Sequence, residues 1–234
     1  GNDFVVCEGT QAILTGSGAA TYVWTGGVID GQAFTPTSTG TYTVTGTDVN
    51  GCVDTDDVIV TVEPLPAVSF IGDNLSGCAS DPLMVTFTNT TPGSMVNCVW
   101  TLGNGTVLTG CNTVIGIFNT AGTFDVTLTT TSANGCTNSV TYTDYIYTEA
   151  DPIASFIPSE NIISNLNPEV YFENTSSGAV NYLWDFGDQT GSSTVVSPTH
   201  SFPEEGSAGY LVELVAYSAM GCTDTAWATI QLNE

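Results

Sequence analysis

Apolar and polar residues alternate along this chain in short runs. Three of the clearest are "TYTVTGTD" (41–48), "FDVTLTTT" (124–131) and "LVELVAYS" (211–218). They are rich in Val, Thr, Tyr and Phe, and Gly, Asn and Pro break them up. A period of two over 4–8 residues belongs to a strand with one buried face. Runs with helical period are missing. The pattern therefore predicts many short antiparallel strands.

The runs recur in register with other signals. An aromatic-alternating strand leads into a tight turn and a cysteine three times, in "GTYTVTGTDVNGCVDT" (40–55), "GTFDVTLTTTSANGCTNS" (122–139) and "GYLVELVAYSAMGCTDT" (209–225). Upstream of each lies a tryptophan in a strand-like run: "YVWTGG" (22–27), "CVWTLGNGT" (98–106) and "YLWDFGDQTG" (182–191). The opening runs "AVSF" (67–70) and "IASF" (153–156) also match, and joints with proline fall at "EPLP" (63–66) and "EADP" (149–152). Self-similarity at a fixed period signals an array of one small unit. We place domains at 1–63, 64–150 and 151–234. Short strands, turn signals every 8–12 residues and a tryptophan on the third strand predict immunoglobulin-like β-sandwiches. The fold class is all-β, with the sandwiches in tandem, end to end. Trp24, Trp100 and Trp184 are core candidates; Trp227 lies in the last strand.

The third unit resembles a known family. "YLWDFGDQTG", "SPTHSF" and "GYLVELVAYSAMGCTDT" follow the W-D-F-G-D turn, the P-x-H-x-[FY] run and the G-C-x-D-T ending of a PKD domain, of the kind repeated in secreted Bacteroidota proteins. The second unit is similar to a degenerate copy, with "VWTLGNGT" at the turn, and the first to the shorter Ig-like repeats found beside PKD domains. The resemblance implies one Ig-like and two PKD-like sandwiches. It also implies a setting: the stalk of a large surface adhesin, including gliding-motility adhesins exported by the type IX route.

Composition narrows the partners. The chain has 234 residues, 24 of them acidic, one histidine and no lysine or arginine, for a net charge of −24. Nothing is available to neutralise phosphates, which excludes nucleic acid and disfavours anionic lipid. No apolar run is long enough to span a bilayer, so no membrane insertion is expected. No signal peptide opens the chain, which is therefore mature or part of something longer. Seven cysteines in a Thr/Gly/Asn-rich β sequence indicate an oxidising compartment, extracellular or at the cell surface.

Candidate chemistry is sparse. His200 falls in the "PTHSF" run and Asp185 and Asp188 in the turn after the tryptophan strand, where the resemblance implies structural tasks; no catalytic constellation appears, and no enzyme is expected. Asp48, Asp54, Asp56 and Asp57 flank one hairpin, and Glu63, Glu149 and Asp151 sit at the joints. Calcium wants clustered carboxylates, but no EF-hand-type loop is present and alternate strand residues point apart. A solvated acidic face is the default, with calcium as the one cofactor to consider. Sequons begin at Asn74, Asn89, Asn104 and Asn174, and "DTA" makes Thr225 a candidate for O-glycosylation of the Bacteroidota type.

Seven is odd, so at least one cysteine lacks a partner within the chain. Cys98 and Cys111, 13 apart with "NG" between them, can staple a hairpin. Cys7 and Cys78 precede the second strand, at the A–B turn, and Ile163 aligns there in the third unit. Cys52, Cys136 and Cys222 follow the F–G turn. Pairing within units would join Cys7 to Cys52 and Cys78 to Cys136, leaving Cys222 alone. Strands of 6 or 7 residues put roughly 20 Å between those two ends of a sandwich, whereas a disulfide tolerates about 7 Å between Cα atoms. We therefore prefer Cys7 with Cys136 and Cys78 with Cys222, leaving Cys52 for a unit before residue 1. The expected function is a structural or adhesive stalk module of an extracellular surface protein or filament, its partners neighbouring domains or copies of the same protein. A glycan or protein ligand fits an accessory binding region of a secreted enzyme, and a self-assembling filament subunit is the further alternative.

Overall fold

A computed structural model describes residues 2–164, 166–203 and 209–233. The chain divides into two compact units. One comprises Gly1–Gly72, Thr86–Val114 and Val126–Thr143, the other Asp73–Val85, Ile115–Asp125 and Asp144–Glu234. The middle sequence repeat thus contributes to both.

In the first unit, a four-stranded sheet is ordered Phe4–Cys7, Val53–Glu63, Gly40–Thr47, Thr21–Trp24. The first pair is parallel and the other two are antiparallel. Among the described residues the second layer is Ala12–Ile13 paired with Ala33–Phe34. Between them Trp24, Leu14, Val58 and Val60 form the core. The Trp24 indole donates to Asp30 Oδ1 at 2.9 Å, and that oxygen also accepts from the Gly16 N–H at 2.7 Å. The indole first, then Gly16, hold the Asp30 carboxyl below its ordinary pKa.

The same unit holds part of the middle repeat. Met95–Leu102 pairs with Val107–Thr109 and with Gly122–Ser132, setting Trp100 opposite Leu128. Phe70–Gly72 pairs with Leu83–Asn89, and the Phe70 ring meets Trp100 at 5.2 Å between centroids.

The second unit contains the third repeat as a two-layered sandwich. Three strands, Phe156–Pro158, Glu169–Asn174 and Thr199–Ser201, form one sheet. The other runs Ile162–Ser164, Thr223–Asn233, Tyr210–Tyr217, Asn181–Asp185, Ser192–Ser193. The alternation in Tyr210–Tyr217 turns Tyr210, Val212, Leu214 and Ala216 inward, and the first three join Trp184, Phe172 and Ile230 in one core. Trp184 is fully buried; truncating a buried tryptophan to alanine costs about 3–5 kcal/mol. Trp227, by contrast, faces outward and is 60% exposed.

Antiparallel pairing dominates, as the alternation suggests, but one edge strand per repeat runs parallel to the last strand: Phe4–Cys7, Ser76–Cys78 and Ile162–Ser164. Local sequence carries no sign of strand direction, and the parallel pairs escape a reading based on period alone. Among the described residues no helix is long and apolar enough to cross a membrane.

Candidate functional site: the cysteine joints

One loop geometry occurs three times, at 48–52, 132–136 and 218–222. The glycine N–H donates to the carbonyl three residues earlier: Gly51 to Asp48 at 3.1 Å, Gly135 to Ser132 at 3.0 Å, Gly221 to Ser218 at 3.1 Å. The cysteine carbonyl then accepts from the first residue's N–H at 3.0, 2.8 and 2.8 Å. The first side chain closes the loop by accepting from the cysteine N–H: Asp48 Oδ1 at 2.8 Å, Ser132 Oγ at 3.2 Å, Ser218 Oγ at 3.1 Å. Glycine is required because φ is +85°, +87° and +89° at the three positions, a region that costs other residues dearly. The Asp48 carboxyl is held below its ordinary pKa by the Cys52 N–H first, then by Asn50. Each loop is thus a rigid mount for one cysteine.

Two of the three mounts are occupied. Cys136 is bonded to Cys7, with an S–S distance of 2.00 Å and Cα atoms 5.4 Å apart. Cys222 is bonded to Cys78, at 2.06 Å and 5.6 Å. Cys52 is free and exposed. Cys7 cannot reach it: Cys7 lies opposite Glu63, at the far end of the 11-residue strand Val53–Glu63 that Cys52 precedes. That strand is roughly 35 Å long at about 3.3 Å per residue, longer than the 6 or 7 residues assumed from sequence.

The strand register adds a second prong. Cys7 is opposite Glu63 and Cys78 is opposite Glu149. Each of these glutamates reaches the same loop as its neighbouring cysteine. Glu63 Oε2 accepts from the Asn134 amide. Glu149 Oε2 accepts from the Ser218 hydroxyl and from the Met220 N–H at 2.8 Å, and lies 3.8 Å from Cys222 Sγ. Sequence reasoning gave these residues only to calcium. The signal was available: both end a last strand, just before the proline-marked joint.

The remaining candidates fall elsewhere. Cys98 and Cys111 are joined with Cα atoms 5.0 Å apart. The Trp100 indole donates to Gly110 O at 2.9 Å and the Asn89 amide to Cys111 O at 3.0 Å, fastening this hairpin to the core. Asp185 accepts from the Gly187 N–H at 2.9 Å. Asp188 accepts from Thr190 through N–H and hydroxyl at 3.0 and 2.7 Å, and its other oxygen sits 2.6 Å from His200 Nε2. Burial pushes the Asp188 pKa up, but the bonds from His200 and Thr190 outweigh it, and the net direction is down. His200 lies flat on Phe186, with centroids 3.9 Å apart.

Of the four hairpin carboxylates, Asp54 and Asp56 share one face of their strand and Asp57 takes the other. Among the described residues the possible metal donors that converge are Cys78, Asp151 and Cys222, and two of these are in a disulfide. Asp151 accepts from the Ser80 hydroxyl at 2.7 Å. Thr225 is half-buried in a strand, opposite Val215. Asn74 is exposed, Asn104 is half-buried, and the Asn89 and Asn174 side chains turn into their own repeats.

Family comparison supplies the context. The PKD domain model matches residues 64–147 and 149–232, most of the chain. The chain belongs to the PKD-domain family. The first repeat lies outside the match. No curated protein matches the sequence. Among solved structures, the PKD1 domain of the Vibrio cholerae metalloprotease PrtV is 33% identical; the match covers 36% of this chain and 99% of that domain, at a TM-score of 0.31. The N-terminal eight Ig domains of Down Syndrome Cell Adhesion Molecule match the whole chain at 14% identity and a TM-score of 0.51, over 36% of their own length. A three-domain I-band fragment of titin matches it at 12% identity and a TM-score of 0.50, over 96% of its length. The last two likenesses show the fold, tandem Ig-like sandwiches.

Proposed function

We propose that this chain is a structural and adhesive segment of an extracellular bacterial protein, in which successive repeats are locked by a two-pronged joint. The observation that carries this reading is the repetition of the joint: a cysteine and a glutamate, side by side at the end of one repeat, meeting the same five-residue loop of the next. A fastening repeated at each boundary suits a load-bearing stalk. Three disulfides fit an oxidising exterior. A chain without lysine or arginine offers no site to trypsin-like proteases, an advantage outside the cell. The domain-three motif supports a Bacteroidota source and type IX export as part of the same proposal.

Cys52 is the open half of a third joint, placed on the same loop geometry. Peptide mapping of the native surface material under non-reducing conditions, with an acid-specific protease, tests this. Cys52 should be recovered joined to a cysteine outside residues 1–234. Recovery of Cys52 as a free thiol in that material, or bonded to Cys7, would end the proposal.

A further inference from the structure

The two cysteine joints share a backbone and differ in their side chains. The Ala79 N–H donates to the Glu149 carbonyl at 2.9 Å, as the Glu8 N–H donates to the Glu63 carbonyl at 2.8 Å. Two residues beyond Glu149 and Cys78 stand Asp151 and Ser80. Two residues beyond Glu63 and Cys7 stand Leu65 and Gly9. The carboxylate and the hydroxyl thus occur together at the second joint, and neither occurs at the first.

Ser80 fixes the Asp151 carboxyl by donating to its Oδ1 at 2.7 Å. So held, Asp151 offers one oxygen that lies, with Cys78 Sγ and Cys222 Sγ, in a group whose members are all within 4.8 Å of one another. Cys78 and Asp151 are half-buried and Cys222 is buried. Around one tetrahedral zinc ion, sulfur and oxygen donors stand about 3.5–4 Å apart, so small side-chain rotations would bring these three onto one ion. Disulfide sulfurs make poor ligands; the thiolate is the metal-binding form. Two thiolates and a carboxylate suit zinc, whereas calcium takes oxygen alone. Glu149 Oε2, already committed to the loop, adds a negative charge 3.8 Å from Cys222 Sγ.

We propose that the second joint, in its dithiol form, is a zinc site: Cys78, Cys222 and Asp151 ligate the ion, water fills the fourth position, and Ser80 orients Asp151. Two thiols bind one Zn²⁺ and release two protons. Closing the joint reverses this. An external disulfide accepts two electrons from the thiolates and two protons, and leaves as two thiols. The Cys78–Cys222 bond forms and zinc departs. The ion thereby holds the two cysteines together at this joint before the covalent bond is made. The first joint, with Leu65 and Gly9, has only its two thiols to offer. The inference needs the geometry of this joint and not the stalk reading, so either stands if the other fails.

The test uses the full chain carrying Cys52→Ser, reduced with a water-soluble phosphine, which takes up an oxygen from water as each disulfide becomes two thiols. Cobalt(II) is added as a spectroscopic probe and then displaced with zinc. One cobalt per chain should bind with the strong visible absorption of a tetrahedral site and a thiolate-to-metal band in the near ultraviolet. Zinc should displace it, and zinc added to the metal-free reduced chain should release two protons per ion. Asp151→Ala should weaken zinc binding about tenfold or more, and Ser80→Ala severalfold. Where reduction loosens the fold, zinc should restore the native Cys222 and Met220 amide signals in NMR spectra, because binding energy becomes folding energy. Two controls share one reading: the oxidised chain, and a reduced chain with Cys78→Ser and Cys222→Ser that keeps every other thiol, should both lack the tetrahedral cobalt spectrum. Its appearance in either control, its absence from the reduced chain, or zinc affinity unchanged by Asp151→Ala would overturn the proposal.

Discussion

Cys78 and Glu149 lie directly opposite each other in a parallel strand pair, and both end on one loop of the next repeat, Cys78 by a disulfide to Cys222 and Glu149 through the Met220 N–H. The disulfide fixes a distance; the carboxylate fixes an orientation, since it takes donors from the first and the middle residue of the loop. Glu149→Ala leaves the disulfide in place and strips those donors of their acceptor. A loss of about 1–2 kcal/mol is expected for bonds to a charged acceptor. Denaturant unfolding of the oxidised protein measures it, and Glu149→Gln, which keeps one acceptor oxygen, should lose less.

The Asp188 carboxyl gives the third repeat an acid-sensitive point. Its pKa is depressed below the ordinary 3.8 in the folded state. A depressed carboxylate contributes stability that is present above the unfolded value and lost as pH falls through the folded one. The thermal midpoint of the wild type should therefore decline as pH drops below about 4. Asp188→Asn should lower the midpoint at neutral pH and flatten this decline. Equal pH slopes for the two proteins would contradict the account.

The Cys98–Cys111 disulfide closes a 13-residue span onto the Trp100 hairpin. Replacing both cysteines with alanine should cost about 3 kcal/mol by chain entropy. The carbonyls of Gly110 and Cys111 lose their fixed positions too, so the Trp100 indole N–H should exchange faster. Hydrogen exchange at that indole checks both effects in one experiment.

Much of the fold was legible because its signals are local. Period-two alternation at Tyr210–Tyr217, the glycine of each cysteine loop and the strand tryptophans all follow from a few adjacent residues. What stayed hidden depends on partners distant in sequence. Glu63 and Glu149 read as spare acids at a joint, since their task exists only where the following repeat meets them. Asp30 gave no sign that it would take the Trp24 indole, because the second and third repeats use the carbonyls of Gly110 and Val195 there. The thin second layer of the first repeat was visible only as a shorter length. The parallel edge strands, and a last strand of 11 residues in place of 6 or 7, needed the register itself.

The two inter-repeat disulfides interleave, and this makes the central claim measurable. Cys78 lies inside the span that Cys7 and Cys136 close, and Cys136 lies inside the span that Cys78 and Cys222 close. The shortest covalent path therefore runs through 1–7, 136–111, 98–78 and 222–234, about 70 of the 234 residues. At roughly 3.5 Å per residue, pulling the oxidised chain by its ends in single-molecule force spectroscopy should yield a contour length of roughly 24 nm, rising to roughly 80 nm with reductant. An oxidised chain that extends to the reduced length would contradict a stalk locked repeat to repeat.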